Sequence, residues 1–446
     1  MTSRQVAPTI GFQPDWIVVA LPLVLTSRNL LPAKIVALGL LILTAAVFSR
    51  KPEIRYPVHA GPMVLLFASF AIVFARPQTN LIALTTFALT GVLLLVLVSR
   101  VDGRVLISSF IDGWGLFLFV NVLAHRVGLS SAHAASFGRI GSGFNRITFP
   151  LTSGWNSPAA IAGAYLVASI FLAREGGWGR KSLRVLYALS AIMVFAGTGT
   201  RSAMGVALII AAIAIWFPAS SRWIAQATTA FAAISALVLP FIIDKVAFIV
   251  RPLSSLTPGR GGATLEQVAL LSGRVEIWDS SLTYWKVWVN GLMEMLFGFG
   301  PNGQYISGAS LTYKSVVVSL RSDPEYATVH NAFLQEFYDG GLIGWLILFL
   351  ALYWTSTRLS KRRSDWNPWA SSAIFALTAI LVGSMTESQM APGVLQESFW
   401  MMIGLIAIAC QTRQNDEPQK AKSIHTESQQ TLPEVSAGQA AIPRFT

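Results

Sequence analysis

Runs of about 11 to 20 largely apolar residues recur along the chain, separated by short polar connections. They fall at Trp16–Thr26, Leu30–Ser49, Pro62–Ala75, Leu81–Ser99, Val105–Ala124 and Pro158–Ala173. They continue at Arg184–Gly197, Ala203–Phe217, Ile224–Ile243, Gly341–Thr357, Trp369–Thr386 and Phe399–Gln411. Wound as helices, such runs suit the thickness of a bilayer, several of them near its lower limit. The pattern predicts an all-α polytopic membrane protein with about twelve transmembrane helices. A long, partly helical loop on the outer side separates spans nine and ten. The runs show no internal repeat of the kind built into inverted-repeat transporters.

The chain divides accordingly into spans one to nine (1–243, including an outer loop at 125–156), a loop at 244–340, spans ten to twelve (341–411) and a polar tail at 412–446. The tail is rich in Gln and Ser and reads as disordered. The first apolar run reads as a retained span, because no small-residue cleavage site follows it. Of the 446 residues 53% are hydrophobic and only 12% charged, about half the charge of an average soluble domain, which excludes an ordinary soluble core.

The net charge of +12 could suggest nucleic acid, but its placement argues otherwise. Arg50, Lys51 and Arg55, then Arg100 and Arg104, then Arg174, Arg180, Lys181 and Arg184 occupy successive even-numbered connections. Arg222 follows, then Arg358, Lys361, Arg362 and Arg363, whereas the short opposite connections hold only Arg28, Arg76 and Arg201. This is the positive-inside bias, and it sets both termini in the cytoplasm with no nucleic-acid partner. In a bacterial inner membrane the two long loops then face the periplasm. Cys410 is the only cysteine, so no internal disulfide can form, and no His/Cys cluster suggests a metal.

Chemistry concentrates in the longer loop. Trp278, Leu282, Trp285 and Val289 recur at helical spacing, with Asp279, Thr283, Lys286 and Asn290 opposite them. The tryptophan face reads as packing on the bundle or in the membrane interface rather than as a sugar platform. Ser272 is a fitting N-cap, which puts Arg274 in the first turn, against the helix dipole. An arginine beside free N–H groups suits a phosphate; a salt bridge to Glu276 or Asp279 on the same helix is the structural alternative. Arg201 closes the short outer turn Gly197–Ser202, where hydroxyls, glycines and a guanidinium could grip an anionic headgroup or simply snorkel to lipid phosphates. His330 stands just before Asn331, a helix N-cap, and a histidine can accept a proton from a sugar hydroxyl. Glu336 and Asp339 follow on that helix, either orienting an acceptor or solvated. The Gly298–Gly303 run lacks the Lys-Ser/Thr of a P-loop and reads as a turn ending the amphipathic helix.

Taken together these features resemble the O-antigen ligase and polysaccharide polymerase superfamily of bacterial envelopes. The resemblance rests on Thr200-Arg201-Ser202, on Ser272-Gly273-Arg274 with Ile277-Trp278, and on Gly298-Phe299-Gly300. Its most specific piece is His330-Asn331-Ala332-Phe333-Leu334 leading into Gly340-Gly341-Leu342-Ile343-Gly344, and it covers roughly Ala196 to Leu350. The resemblance implies a metal-independent, cofactor-free glycosyltransferase whose donor is a glycan on undecaprenyl pyrophosphate and whose acceptor is a sugar hydroxyl. Arg201 and Arg274 would bind the pyrophosphate and His330 would act at the acceptor, with Asn331, Glu336 and Arg139 as further substrate-binding positions. A flippase and a chain-length regulator would be partners in the same membrane. The Ser-Gly-Arg-x-x-Ile-Trp and Gly-Phe-Gly wording is closer to exopolysaccharide polymerases than to ligases acting on lipid A core, which use the same donor.

Two other readings stay open. A secondary transporter or lipid-linked glycan flippase would need ionisable residues inside spans, for which Asp112 and Glu387 are the nearest candidates. A structural assembly protein would tolerate changes at Arg201, Arg274 and His330 but not on the tryptophan face. The outer loop 125–156, with Arg126, Arg139 and Arg146, would suit a mobile lid or an acceptor groove.

Overall fold

The structure is a computed structural model that describes residues 15–49, 54–75, 81–129, 147–255, 273–314 and 327–412. Arg139 and Arg146, the Ser272 cap and the tail beyond 412 lie outside the described residues. Within them the regular structure is helical, with one isolated β-bridge between Val58 and Gln411.

Each apolar run lies on a helix. The first half of the chain forms α1 (Trp16–Thr26), α2 (Ala33–Ser49), α3 (Gly61–Phe74), α4 (Leu81–Arg100) and α5 (Gly103–Arg126). Then come α6 (Asn156–Leu172), α7 (Trp178–Thr198), α8 (Arg201–Trp216) and α9 (Ile224–Ser255). The outer segment carries α10 (Arg274–Trp288), α11 (Leu292–Phe297) and the single turns α12 (Gly303–Ile306) and α13 (Ala309–Thr312). The last three are α14 (Ala332–Trp366), α15 (Trp369–Ser384) and α16 (Glu397–Ala409).

By length and composition four of these can cross a membrane: Leu81–Arg100, Gly103–Arg126, Trp178–Thr198 and the Ala332–Ser364 part of α14. Eight shorter apolar helices of 10–17 residues accompany them. The shortness has a physical reason at the centre of the bundle. Every residue of α16 and nearly every residue of α15 is buried, as expected for helices that are apolar all round. The stretch 385–396 joining them is irregular and largely buried, which is tolerated at depth only where protein covers the backbone. Large apolar side chains such as Leu38, Ile42, Leu189, Leu208 and Ile215 point outward from the peripheral helices.

Two helices overrun their apolar stretches. α9 continues to Ser255, beyond the Ile243 boundary. α14 begins at Ala332 rather than Gly341, since Asn331 supplies the cap and accepts a hydrogen bond from the Leu334 N–H at 2.9 Å. Gly341 breaks that helix with φ 66, and the Gly298–Gly300 turn docks against the break. Its N–H groups at Phe299 and Gly300 donate to the carbonyls of Tyr338 (2.8 Å) and Asp339 (2.9 Å) freed by the kink. The turn ends the short α11, not the amphipathic α10. At the other end of α14, Arg358 donates to the Ala409 carbonyl (2.7 Å) and Arg362 to that of Gln411 (2.9 Å). Part of the basic charge that signals orientation thus also caps the C-terminus of α16.

Candidate active site

His330 is held from both sides. Behind it the Trp278 indole donates to the Val329 carbonyl at 2.9 Å and the Tyr313 hydroxyl to that of Ala327 at 2.9 Å. The Tyr338 hydroxyl in turn donates to the Ser281 carbonyl at 2.6 Å, tying α10 to α14. Trp278 is fully buried in this cluster, so its role is packing, while Trp288 at the end of α10 is exposed. Ahead of His330, the Asn331 amide donates to Ser235 Oγ and to the Met385 carbonyl, both at 2.9 Å. Between these clamps His330 takes φ 51, a left-handed conformation that costs free energy and recurs at functional sites.

The imidazole meets a residue from the buried segment between α15 and α16. His330 Nδ1 lies 3.1 Å from Glu387 Oε2. The other carboxylate oxygen, Oε1, accepts from Arg274 Nη2, and Arg274 Nε donates to the Thr386 carbonyl at 2.7 Å. Arg274 opens α10 after Gly273, whose φ of 86 suits glycine. The carboxylate Arg274 meets is therefore Glu387, more than a hundred residues away in sequence, rather than a neighbour on its own helix.

Burial alone would raise the Glu387 carboxyl, but the Arg274 guanidinium and the His330 hydrogen bond hold it down, to about 2. An ionised carboxylate only accepts, so Nδ1 carries a proton towards Glu387. The side chains of His330 and Arg274 keep 26% and 18% of their exposure against 8% for Glu387, so the cluster opens on one side.

Glu336 and Asp339 are fully buried rather than solvated. Glu336 Oε1 accepts from Ser69 at 2.8 Å, and Gly340 and Gly344 leave room for it: a Cβ at either would lie 2.6 or 2.7 Å from that oxygen. Asp339 Oδ1 accepts from the Gly303 N–H and from Gln335 Nε2, both at 2.8 Å, fixing the turn that docks on the kink. Asn331 spends its amide on the cap, Ser235 and Met385. These residues sit beneath the His330 cluster, inside the protein.

Arg201 opens α8 directly after Thr200. A hydrogen-bonded path links its turn to the cluster. The Ile147 N–H donates to the Gly197 carbonyl at 2.8 Å, and farther along that outer segment the Ser153 N–H donates to Glu397 at 2.8 Å. Next to Glu397, Ser398 Oγ donates to the carbonyl of Gln389, two residues beyond Glu387, at 3.0 Å. Asn29 also donates to Glu397 and to the Leu151 carbonyl, both at 2.8 Å, tying this end of the outer segment to the bundle.

Against known families, the model described as O-antigen ligase matches residues 185–349. An O-antigen ligase domain therefore occupies this stretch. The match supports the resemblance of this stretch to the O-antigen ligase and polymerase superfamily. No curated protein matches the chain. Arg201, Arg274, His330, Asn331 and Glu336 all fall inside the ligase domain, whereas Glu387 lies beyond its end. Sequence reading named Glu387 only as a candidate carboxylate of a transporter, at the end of an apolar run, and gave it no place in the transfer site. The one available signal was a lone carboxylate at the edge of a span of otherwise uncharged residues.

Proposed function

We propose that the chain transfers a glycan from undecaprenyl pyrophosphate to a sugar hydroxyl at the periplasmic face of a bacterial inner membrane. The observation that carries this reading is the single carboxylate of Glu387 gripping both Arg274 and His330. The two residues picked out by motif, 56 positions apart, thereby share one partly exposed cluster.

His330 Nε2 takes the proton of the acceptor hydroxyl as its oxygen bonds to the anomeric carbon of the donor. The bond from that carbon to the pyrophosphate oxygen breaks, and undecaprenyl pyrophosphate leaves with the electron pair. Arg274 and Arg201 supply fixed positive charge where the leaving group gains negative charge, the task a metal performs in other transferases. Glu387 holds the imidazole in the reactive tautomer, as the carboxylate does in a hydrolase triad. Asn331 positions His330 through the helix cap, and Glu336 supports the helix from below. A single displacement inverts the anomeric configuration, and the protonated imidazole then returns its proton to water.

The acceptor separates two versions of this chemistry. The loop wording around Arg274 and Gly298-Phe299-Gly300 favours a polymerase of exopolysaccharide or O-antigen units, served by a flippase and a chain-length regulator. The family description favours a ligase that delivers finished glycan to lipid A core. Glycan length on the carrier, measured in cells lacking the protein and complemented with wild type or His330→Ala, distinguishes them. Single repeat units accumulating with the mutant identify a polymerase, and full-length glycan on the carrier a ligase. Normal product from a normally expressed His330→Ala protein overturns the reading.

A further inference from the structure

The helix α11, Leu292–Phe297, has the sequence Leu-Met-Glu-Met-Leu-Phe and buries none of its residues. Leu292 and Met293 are 68% and 63% exposed, and Met295 and Phe297 remain exposed on the same short helix. Trp288 and Val287, at the end of α10, extend this surface. Such a run does not stay uncovered in water, where each apolar side chain would be hydrated at a cost. The single charge of the helix is withdrawn from the apolar face. Glu294 folds back over the helix start, close enough that a Cβ on Gly291 would lie 1.9 Å from its Oε2.

The height of α11 is fixed by its contact with α14. A Cβ on Gly341 would lie 2.4 Å from the carbonyl carbon of Leu296 and 2.5 Å from the Gly298 nitrogen, so the two backbones touch. Gly341 belongs to the part of α14 that is long and apolar enough to cross a membrane. Immediately below it Leu342, Leu346 and Leu350 form an exposed stripe at helical spacing. The apolar surface of α11 thus continues the face that α14 turns to lipid, rather than standing away from the bilayer.

We infer that α11 and the end of α10 are an interfacial anchor, seated in the acyl chains of the outer leaflet. The partner is the phospholipid bilayer itself, recognised by apolar contact. This inference rests on the chain being membrane-embedded and not on glycosyl transfer. The anchor fixes the level of the outer segment, whose first helix begins at Arg274 close to the His330 cluster.

The experiment uses the full chain in phospholipid vesicles, with an environment-sensitive fluorophore on Met293→Cys; the native Cys410 is buried and does not compete. Asp279→Cys, exposed on α10, is the comparison. The expected result is blue-shifted emission at position 293, quenched about threefold or more strongly by lipids with a nitroxide near the glycerol backbone than by aqueous iodide, and the reverse at 279. Equal iodide quenching at both positions overturns the proposal. So does protection at 293 that disappears on dilution into excess lipid, which would mean that a second copy covers the face. Leu292→Cys carries the same readout should the first variant fail to fold.

Discussion

Two carboxylates in this protein each hold two nitrogen bases, and they differ in instructive ways. Asp112 accepts from Arg180 and Arg184, on facing turns of α5 and α7. Arg184 also donates to Ser108 (2.7 Å) and to the carbonyls of Leu172 and Glu175, so all three of its nitrogens are bonded inside the protein. Glu387 likewise holds Arg274 and His330, but on irregular backbone, beside a left-handed histidine. The Arg184 side chain keeps 5% exposure and His330 keeps 26%. The first cluster joins two regular helices, as a structural ion pair does. The second leaves the His330 ring partly exposed on one side. Burial of charge is common to both, and the partly exposed imidazole sets the second apart as the proposed site. It also weakens the transporter reading, because both carboxylates that reading relies on are engaged by arginines.

The largest effect expected is on turnover: His330→Ala lowers transfer by roughly 10³-fold, measured with purified protein and carrier-linked donor, with little change in the unfolding midpoint. The opposite signature belongs to Asp112→Asn. It leaves the buried Arg184 and the partly buried Arg180 without their counter-charge and costs about 3–5 kcal/mol of stability, while turnover per folded molecule stays normal. Equal loss of turnover in Asp112→Asn would erase the distinction between the clusters. Smaller again, Asn331→Ala removes the cap and the bonds to Ser235 and Met385. It should cost about 1–2 kcal/mol in thermal unfolding and lower turnover by displacing His330.

The smallest effect is on pH dependence. The Glu387 carboxyl is lowered to about 2 from an ordinary value of 4.5, so its contribution to stability is fully present above about pH 4.5 and lost as pH falls through 2. The stability difference between wild type and Glu387→Gln should therefore stay constant from about pH 7 to pH 5 and vanish only in strong acid. A difference that shrinks between pH 7 and 5 would mean that the carboxyl takes up its proton there.

Much of this was legible in the sequence because bilayers impose a length and a period. All twelve apolar runs became helices, and Asn331 became the cap that its position before Ala332 suggested. Arg274 stood out because a cation at a helix start opposes the dipole, and His330 because it opens the block that carries the family resemblance. Glu387 did not, since its meaning comes only from residues 57 and 113 positions away that folding brings to its two oxygens. The depth of the helices was equally hidden. Nothing in the composition of α15 and α16 says that the segment between them stays irregular and buried, and that segment supplies a third of the cluster.

The central claim is that Glu387 serves chemistry where Asp112 serves the fold. The most direct test measures turnover and thermal unfolding on one preparation of Glu387→Gln, beside Asp112→Asn. The account predicts transfer reduced about 100-fold in Glu387→Gln, with a smaller fall in midpoint than Asp112→Asn suffers. Turnover in Glu387→Gln that merely follows its folded fraction would contradict it.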